Sequence, residues 1–135
     1  MSSAQFDLQK AIFDALKASA FVMALVDGVY DSVPSGAFKT KNAYISFGAS
    51  DVVDDDADCI LGGEHTLQLD IWSRNVGAAP CKKIVDAVKA ALHEVPLTLA
   101  ETALVELRCT LRRVFLDPDG VTYHGVVQLA ASIEE

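Results

Sequence analysis

A run of aspartates near the middle of the chain comes nearest to a known chemistry, that of calcium binding. Asp54, Asp56 and Asp58 would fill the first, third and fifth places of a calcium loop. Such a loop also needs Gly at its sixth place and a bidentate Glu at its twelfth, where Cys59 and His65 stand instead. We therefore expect a solvated acidic segment and no metal site.

The histidines, serines and glycines do not form a catalytic motif. His65, His93 and His124 fall on separate predicted elements, with no carboxylate at the spacing of a metal-ligand set or a catalytic triad. The chain has no Gly-x-Ser-x-Gly elbow, and Gly62-Gly63 lacks the spacing and the lysine of a phosphate-binding loop. The sequence disfavours an enzyme, and we expect each histidine to be structural or exposed.

Three arginines, Arg108, Arg112 and Arg113, form a basic patch along one predicted strand. A patch of this kind can bind a phosphate. The net charge is −8, however, from 19 acidic and 11 basic residues, and such a charge repels a nucleic-acid backbone. We expect the arginines to pair with carboxylates of a neighbouring subunit.

The three cysteines, Cys59, Cys81 and Cys109, are odd in number and share no close spacing. A disulfide framework or a structural zinc site is therefore not expected. We predict reduced thiols, no metal and no cofactor. The segment Met1–Gln5 lacks the basic start and apolar core of a secretion signal, which favours assembly in the cytosol.

Length and composition indicate one ordinary domain over residues 1–135. A chain of 135 residues buries about two thirds of the surface that it exposes when unfolded. Apolar residues make up 51% and charged residues 22%, which is typical of a globular protein. No apolar run approaches the roughly 20 residues that are needed to span a bilayer.

Apolar periodicity predicts an α+β fold, with an antiparallel sheet of about four strands and two main helices packed on one face. The predicted elements are, in chain order, a helix over 4–18, a short helical turn over 21–26, a candidate short strand at Val29-Tyr30, strands over 43–47 and 64–73, a helix from Pro80 to about His93, and a hairpin over 105–133.

Residues 49–63 form an acidic, glycine-bounded segment between the two middle strands. We expect a long loop or an extended arm, and because loops of this length are usually functional or disordered, we expect it to order against a neighbour. Trp72 falls on the polar face of the strand over 64–73. It lies either under a helix or in an interface.

The terminal hairpin has a readable turn, Asp117-Pro118-Asp119-Gly120. Pro118 presets φ and Gly120 supplies the left-handed residue of a bulged three-residue loop, which pairs Asp117 with Val121. The apolar face then holds Phe115/Tyr123, Arg113/Gly125, Leu111/Val127, Cys109/Leu129, Leu107/Ala131 and Val105/Ile133. The other face, open to water or a partner, holds Leu116/Thr122, Val114/His124, Arg112/Val126, Thr110/Gln128, Arg108/Ala130 and Glu106/Ser132.

The order of these features resembles the tail-completion, or tail-terminator, family of long-tailed bacteriophages and gene transfer agents. The resemblance covers nearly the whole chain, and the order and spacing of its pieces carry it. Those pieces are Ile12-Phe13-Asp14-Ala15-Leu16, Leu25-Val26-Asp27-Gly28-Val29-Tyr30-Asp31, Pro34, Tyr44-Ile45-Ser46-Phe47-Gly48, Leu67-Gln68-Leu69-Asp70-Ile71-Trp72-Ser73, the helix after Gly77, and a final hairpin with Asp119-Gly120 and His124-Gly125. The segment from Asp51 to Cys59 is unusually acidic for the family.

The resemblance implies a six-membered ring at the head-proximal end of the tail tube of a virion. Such a ring ends tube polymerisation and offers a docking surface to the head connector, so its partners are itself, the tail-tube protein and the connector. DNA would pass through the ring without specific binding. Candidate contacts with the next subunit, the tube or the connector are Asp54, Asp55, Asp56, Asp58, Trp72, Arg108, Arg112, Arg113, Asp117 and Asp119.

Two other classes of function stay open at this point. Another ring component of the same particle, a head-tail connector adaptor or a tail-tube subunit, would share the ring geometry. A tube subunit polymerises alone into long tubes, whereas a terminator does not. A small ligand-binding domain or enzyme would need a concave pocket with convergent polar groups.

Overall fold

Three helices and five strands follow one another along residues 3–54 and 61–135, the part of the chain that the computed structural model describes. They are α1 (Ala4–Ala18), α2 (Ala20–Met23), β1 (Val29–Tyr30), β2 (Ala43–Asp54), β3 (Gly62–Ser73), α3 (Ala79–Leu92), β4 (Ala103–Leu116) and β5 (Tyr123–Glu134). The predicted α+β class is confirmed. The sheet has the order β1-β2-β3-β5-β4 and gains a fifth strand because Val29 and Tyr30 pair parallel to Ile45 and Ser46.

The helices begin where the sequence offers caps. Ser3 accepts a hydrogen bond from Phe6 N at 3.3 Å at the start of α1, and Ser19 accepts one from Val22 N at 3.2 Å at the start of α2. Pro80 occupies the first turn of α3, where its missing N–H has no partner to lose. The predicted helices over 4–18 and from Pro80 to about His93 are confirmed within a residue or two.

The core lies between the helices and one face of the sheet. The buried stripes of α1 and α3 form one hydrophobic cluster with alternate residues of β3 and β5. Each fully buried Leu, Ile or Val contributes about 1.5–3 kcal/mol. The largest of these side chains are Leu8, Ile12, Leu16, Ile45, Leu69, Ile71, Ile84, Leu92, Leu107, Leu129, Ile133 and Val22.

The segment predicted to be a loop or arm over 49–63 is in part regular strand. β2 continues through Asp54 and β3 begins at Gly62, with Val52 opposite His65 and Val53 opposite Glu64. The β-branched Val52 and Val53 favour the strand and outweigh their acidic neighbours. Asp55, Asp56 and Asp58 lie outside the described residues.

The terminal hairpin confirms the predicted pairing in its middle and departs from it near the turn. Glu106–Cys109 face Ser132–Leu129 as predicted. The turn is one residue longer than predicted, because Asp117 N donates to Thr122 O at 2.8 Å. Leu116 therefore faces Tyr123, and the pairs between the turn and Leu111 are all shifted by one residue from those predicted.

The bulge between Cys109 and Leu111 cancels the extra turn residue, so the prediction is right again below it. A second bulge between Leu104 and Glu106 sets Ile133 opposite Leu104, and the predicted pair with Val105 is wrong. In the shifted part of the ladder Arg112 faces Val127 and moves to the helix side of the sheet. The predicted pairing of Arg112 with Val126 on the other face is wrong.

Asp27 holds the connection between α2 and β2 together. Its carboxylate accepts hydrogen bonds from Lys39 N at 2.7 Å, Lys41 N at 2.9 Å and Ala43 N at 3.4 Å. Burial alone would raise the pKa of Asp27, but these backbone N–H groups, together with that of Asn42, bring the pKa below its usual 3.8.

Replacing Asp27 with Asn should lower the free energy of unfolding by about 1–2 kcal/mol at pH 7, since bonds to a charged acceptor are lost. The folded-state pKa is depressed, so the contribution is present above pH 3.8 and is lost as the pH falls through the folded value. Urea unfolding of both proteins from pH 7 down to 2.5 should show the difference disappear in acid. Asp31→Asn, which changes the net charge equally at an exposed side chain, should leave stability unchanged. A deficit of Asp27→Asn that persists at the lowest pH would contradict this account.

Candidate interface surfaces

The basic patch predicted along β4 divides between the two faces of the sheet. Arg112 lies on the helix side, where its Nη1 is 2.5 Å from Asp86 Oδ1 of α3. Arg113 lies on the opposite face, with its guanidinium carbon 5.5 Å from the centre of the Phe115 ring. Arg108 Nε is 3.5 Å from Glu106 Oε1 on that same face. The three arginines therefore do not form one continuous patch.

The outer edge of β4 is covered in one half and open in the other. His93 Nδ1 accepts a hydrogen bond from Cys109 N at 2.9 Å, and Glu94 N donates to Leu107 O at 2.8 Å. The chain turns sharply here, with Glu94 at a φ of 56°. Residues after α3 thus occupy the edge groups of Leu107 and Cys109, whereas the edge from Leu111 to Leu116 faces solvent.

A groove of about 590 Å³ runs along that open half, between α3 and β4. Four basic residues, Lys82, Lys89, Arg112 and Arg113, and one acidic residue, Asp86, line it. Exposed apolar side chains lie along the same strand and its turn, namely Val105, Leu111, Phe115, Leu116 and Val121. A cationic groove beside exposed apolar residues on an edge strand favours protein contact.

The other end of the sheet is acidic. Asp51 and Asp54 are exposed on β2, beside the exposed Val53. A groove of about 280 Å³ between α1 and this part of β2 is lined by Asp31 and Asp51, and among the described residues no lysine or arginine lines it. The two edges of the sheet therefore differ in the sign of their charge.

Asp117 and Asp119 order the hairpin turn. Asp119 Oδ1 accepts from Val121 N and Thr122 N, both at 2.8 Å, and Oδ2 accepts from Thr122 Oγ1 at 2.7 Å. The backbone N–H groups of Thr122 and Val121 and the Thr122 hydroxyl lower the pKa of Asp119. Asp117 Oδ2 accepts from Asp119 N at 3.3 Å. Both carboxylates thus accept hydrogen bonds within the turn, and a contact with a partner would have to use the same oxygen atoms.

Trp72 lies on the face of the sheet opposite the helices, so the alternative that places it under a helix is wrong. Its ring stacks on His124 with centroids 4.0 Å apart and planes at 17°, and its Nε1 donates to Ser46 Oγ at 3.0 Å. The Phe115 ring also contacts His124, with centroids 4.9 Å apart and planes at 51°. Trp72 remains half-buried, so part of the ring is available to a partner.

Within this aromatic cluster lies a pair that the sequence did not reveal. His124 Nε2 is 2.7 Å from Asp70 Oδ1, and both side chains are largely buried, at 15% and 12% exposure. Gln68 Nε2 donates to the same oxygen at 2.9 Å. Sequence reasoning missed this pair because finding it requires knowing that β3 and β5 are neighbours, with Trp72 opposite His124.

Two further titratable side chains, those of His65 and Cys81, are buried. Burial lowers the pKa of His65, while Glu135, Glu64 and Asp54 act to raise it, and His65 Nε2 has no hydrogen-bond partner among the described residues. Burial raises the pKa of Cys81 to about 11, which keeps it a thiol. Within residues 3–54 and 61–135 no cluster of His, Cys, Asp or Glu could hold a metal ion.

No helix in this part of the chain is long and apolar enough to cross a membrane.

Comparisons with known proteins give a family match and a structural match that covers the whole chain. The sequence model described as "Tail completion protein gp17" matches residues 10–134. Among solved structures, the chain superposes on a chain of the "Virion of native gene transfer agent (GTA) particle" with a TM-score of 0.88, at 25% sequence identity and with 100% of each chain covered. No curated protein sequence gives a significant match.

Proposed function

We propose that this chain, which belongs to the tail completion protein family, forms a closed ring of six copies on the head-proximal end of a tail tube. The ring covers the surface on which further tube subunits would add, and it presents the head connector with a surface to dock on. The observation that carries the proposal is the full-length agreement with a chain of a gene transfer agent virion. The role is structural, and no covalent bond is made or broken.

A closed ring places a physical demand on each copy. The contact between neighbours is heterologous, so every subunit presents two different side surfaces, and the rotation between copies closes. The cationic edge at β4 and the acidic edge at β2 provide the two different side surfaces. This supports a ring of copies over a pair related by a two-fold axis, in which the same surface faces itself.

The net charge suits a ring through which DNA moves. Six copies at −8 each carry −48. Tight binding to DNA depends on neutralising its phosphates with cations, so an acidic ring lets DNA pass without holding it. In this proposal the particle assembles in the cytoplasm of a bacterial host, and the ring stays in the virion.

Electron microscopy of particles made without this gene tests the proposal. Tails of uncontrolled length, together with separate tailless heads, are the expected result, and supplying the intact gene from a plasmid should restore tails of uniform length attached to heads. Normal tails firmly attached in the deletion strain would refute the ring. Complete absence of tails would instead support the role of a tail-tube subunit, since that protein builds the tube itself.

A further inference from the structure

The sheet has two incompletely paired outer edges. β1 covers only Ile45 and Ser46 of β2, which leaves the β2 edge beyond Phe47 without a strand partner in the described part of the chain. On the far side, β4 is covered at Leu107 and Cys109 by Glu94 and His93. Open strand edges bind other strands and are normally protected in a soluble protein. Residues 50–53, the distal β2 segment, and 111–114, the distal β4 segment, lie in the two open stretches.

Strand directions allow these two edges to join copies of the chain. From β2 through β3 and β5 to β4, each strand is antiparallel to its neighbour. Because four strands alternate, β4 of one copy runs opposite to β2 of the next copy when both copies have the same orientation. A heterologous ring contact can thus continue the antiparallel sheet from one copy to the next.

Backbone groups on the two edges fall in matching positions. On β4, Leu107 C=O and Cys109 N–H point away from β5. The bulge that follows adds one residue, so beyond it the residues whose N–H and C=O groups point away from β5 are Arg112 and Val114. On β2, Ile45 N–H points outward to Gly28 O. Because of the bulge after Phe47, the residues beyond it whose N–H and C=O groups point away from β3 are residues 50 and 52.

One register satisfies both the backbone and the side chains. Setting Arg112 opposite Val52 pairs two outward-pointing residues, as a hydrogen-bonded pair requires. It also sets Arg113 opposite Asp51 and Leu111 opposite Val53, on the face away from the helices. Leu111 and Val53 are 41% and 66% exposed, so their contact removes apolar surface from water. The register two residues either way sets Leu111 against Asp51, or Arg113 against Val53.

We infer that neighbouring copies in the ring join by sheet extension, with the distal β4 segment of one copy paired antiparallel to the distal β2 segment of the next. The β4 edge and its groove carry four basic residues and one acidic residue, and the groove beside β2 has two acidic residues and no basic one among the described residues that line it, so the edges also attract one another. The occupant of each edge is thus a second copy of this chain. This inference rests on the ring proposed above.

A disulfide between copies tests the register. In it Leu111 and Val53 form a non-hydrogen-bonded pair, whose Cα atoms lie about 4.5–5.5 Å apart, within the range of a disulfide. The double variant Leu111→Cys/Val53→Cys, with Cys59 and Cys109 changed to Ser, is supplied to the deletion strain, and purified particles are oxidised. Non-reducing gels should show covalent oligomers up to six copies that reduction converts to monomer.

The matched control is Glu106→Cys/Val53→Cys in the same background. Glu106 lies on the same face as Leu111, but five residues along the strand is about 17 Å, so we expect at least tenfold less cross-linking. Particles with attached tails of normal length that cross-link no more than this control would overturn the sheet extension and leave the proposed function standing. Normal tails in the deletion strain itself would overturn the proposed function.

Charge reversal tests the same register if the cysteine variants do not assemble. Arg113→Glu should reduce the yield of particles with attached tails at least tenfold, because it sets two carboxylates against one another. Adding Asp51→Arg should restore the yield to within about threefold of the intact gene. Failure of the second substitution to restore assembly, with both proteins folded by circular dichroism, would overturn the pairing of Arg113 with Asp51.

Discussion

Replacing Gly125 with Val is expected to lower the free energy of unfolding by about 3 kcal/mol, the upper part of the range for overpacking a core. A Cβ atom at this position would lie 2.7 Å from Val85 Cγ1, 3.0 Å from Cys81 Sγ and 3.1 Å from Ile71 Cβ. Glycine here lets α3 approach β5 closely, because no side chain lies between the two elements. The valine would push α3 away from the sheet over much of its length.

Urea unfolding measures this effect, with a lower midpoint and an unchanged slope as the expected form of the result. Ala130→Val is the matched control, since Ala130 is a half-buried residue of the same strand on the other face, and its cost should stay below about 0.5 kcal/mol. In a Val85→Ala background the smaller change Gly125→Ala should cost less than it does alone. Equal stability of Gly125→Val and the parent protein would contradict the close packing of α3.

The two strands of the terminal hairpin, β4 and β5, differ in how well the sequence predicts which residues face the core. β5 pairs with β3 without a bulge, so alternation along the strand predicts its core face from Tyr123 to Ile133 correctly. β4 contains two bulges, and a bulge changes which residues face inward while leaving little trace in an apolar pattern. The turn adds one residue and the bulge after Cys109 removes that offset, which is why the predicted pairs are correct only between the two bulges, from Glu106 to Cys109.

The candidate interface was predictable in composition and only partly in geometry. The acidic segment and the arginines stand out in the sequence, yet Arg112 lies beside Asp86, on the helix side of the sheet. That placement follows from the shifted register. The edge cover by His93 depends on a sharp turn after α3, where Glu94 adopts a left-handed conformation that its residue type does not favour.

Contacts between distant strands were beyond the sequence altogether. Asp70 and His124 are 54 positions apart, and they meet because β5, and not β4, is the neighbour of β3 in the sheet. Alternation predicts which side of a strand each residue occupies, but it does not give the order of strands in the sheet. Three histidines without a carboxylate at a metal-ligand or triad spacing therefore gave no indication of the buried pair.

Removing the Asp70 carboxylate should therefore lower the free energy of unfolding strongly. Asp70→Ala leaves His124 Nε2 and the Gln68 amide without their shared acceptor, and we expect a loss of about 3 kcal/mol, since breaking one partner of a buried pair leaves the other unsatisfied. In a double-mutant cycle with His124→Ala the two substitutions should be non-additive by at least about 1 kcal/mol.

The pair of Arg112 and Asp86 supplies the comparison that isolates burial as the cause. Its atoms are 2.5 Å apart, closer than the 2.7 Å of His124 and Asp70. Its side chains are 38% and 66% exposed, however, and exposed ion pairs contribute at most about 1 kcal/mol. Asp86→Ala should therefore cost less than a third of Asp70→Ala in the same unfolding measurement. Equal losses would mean that distance, and not desolvation, sets the strength of both pairs.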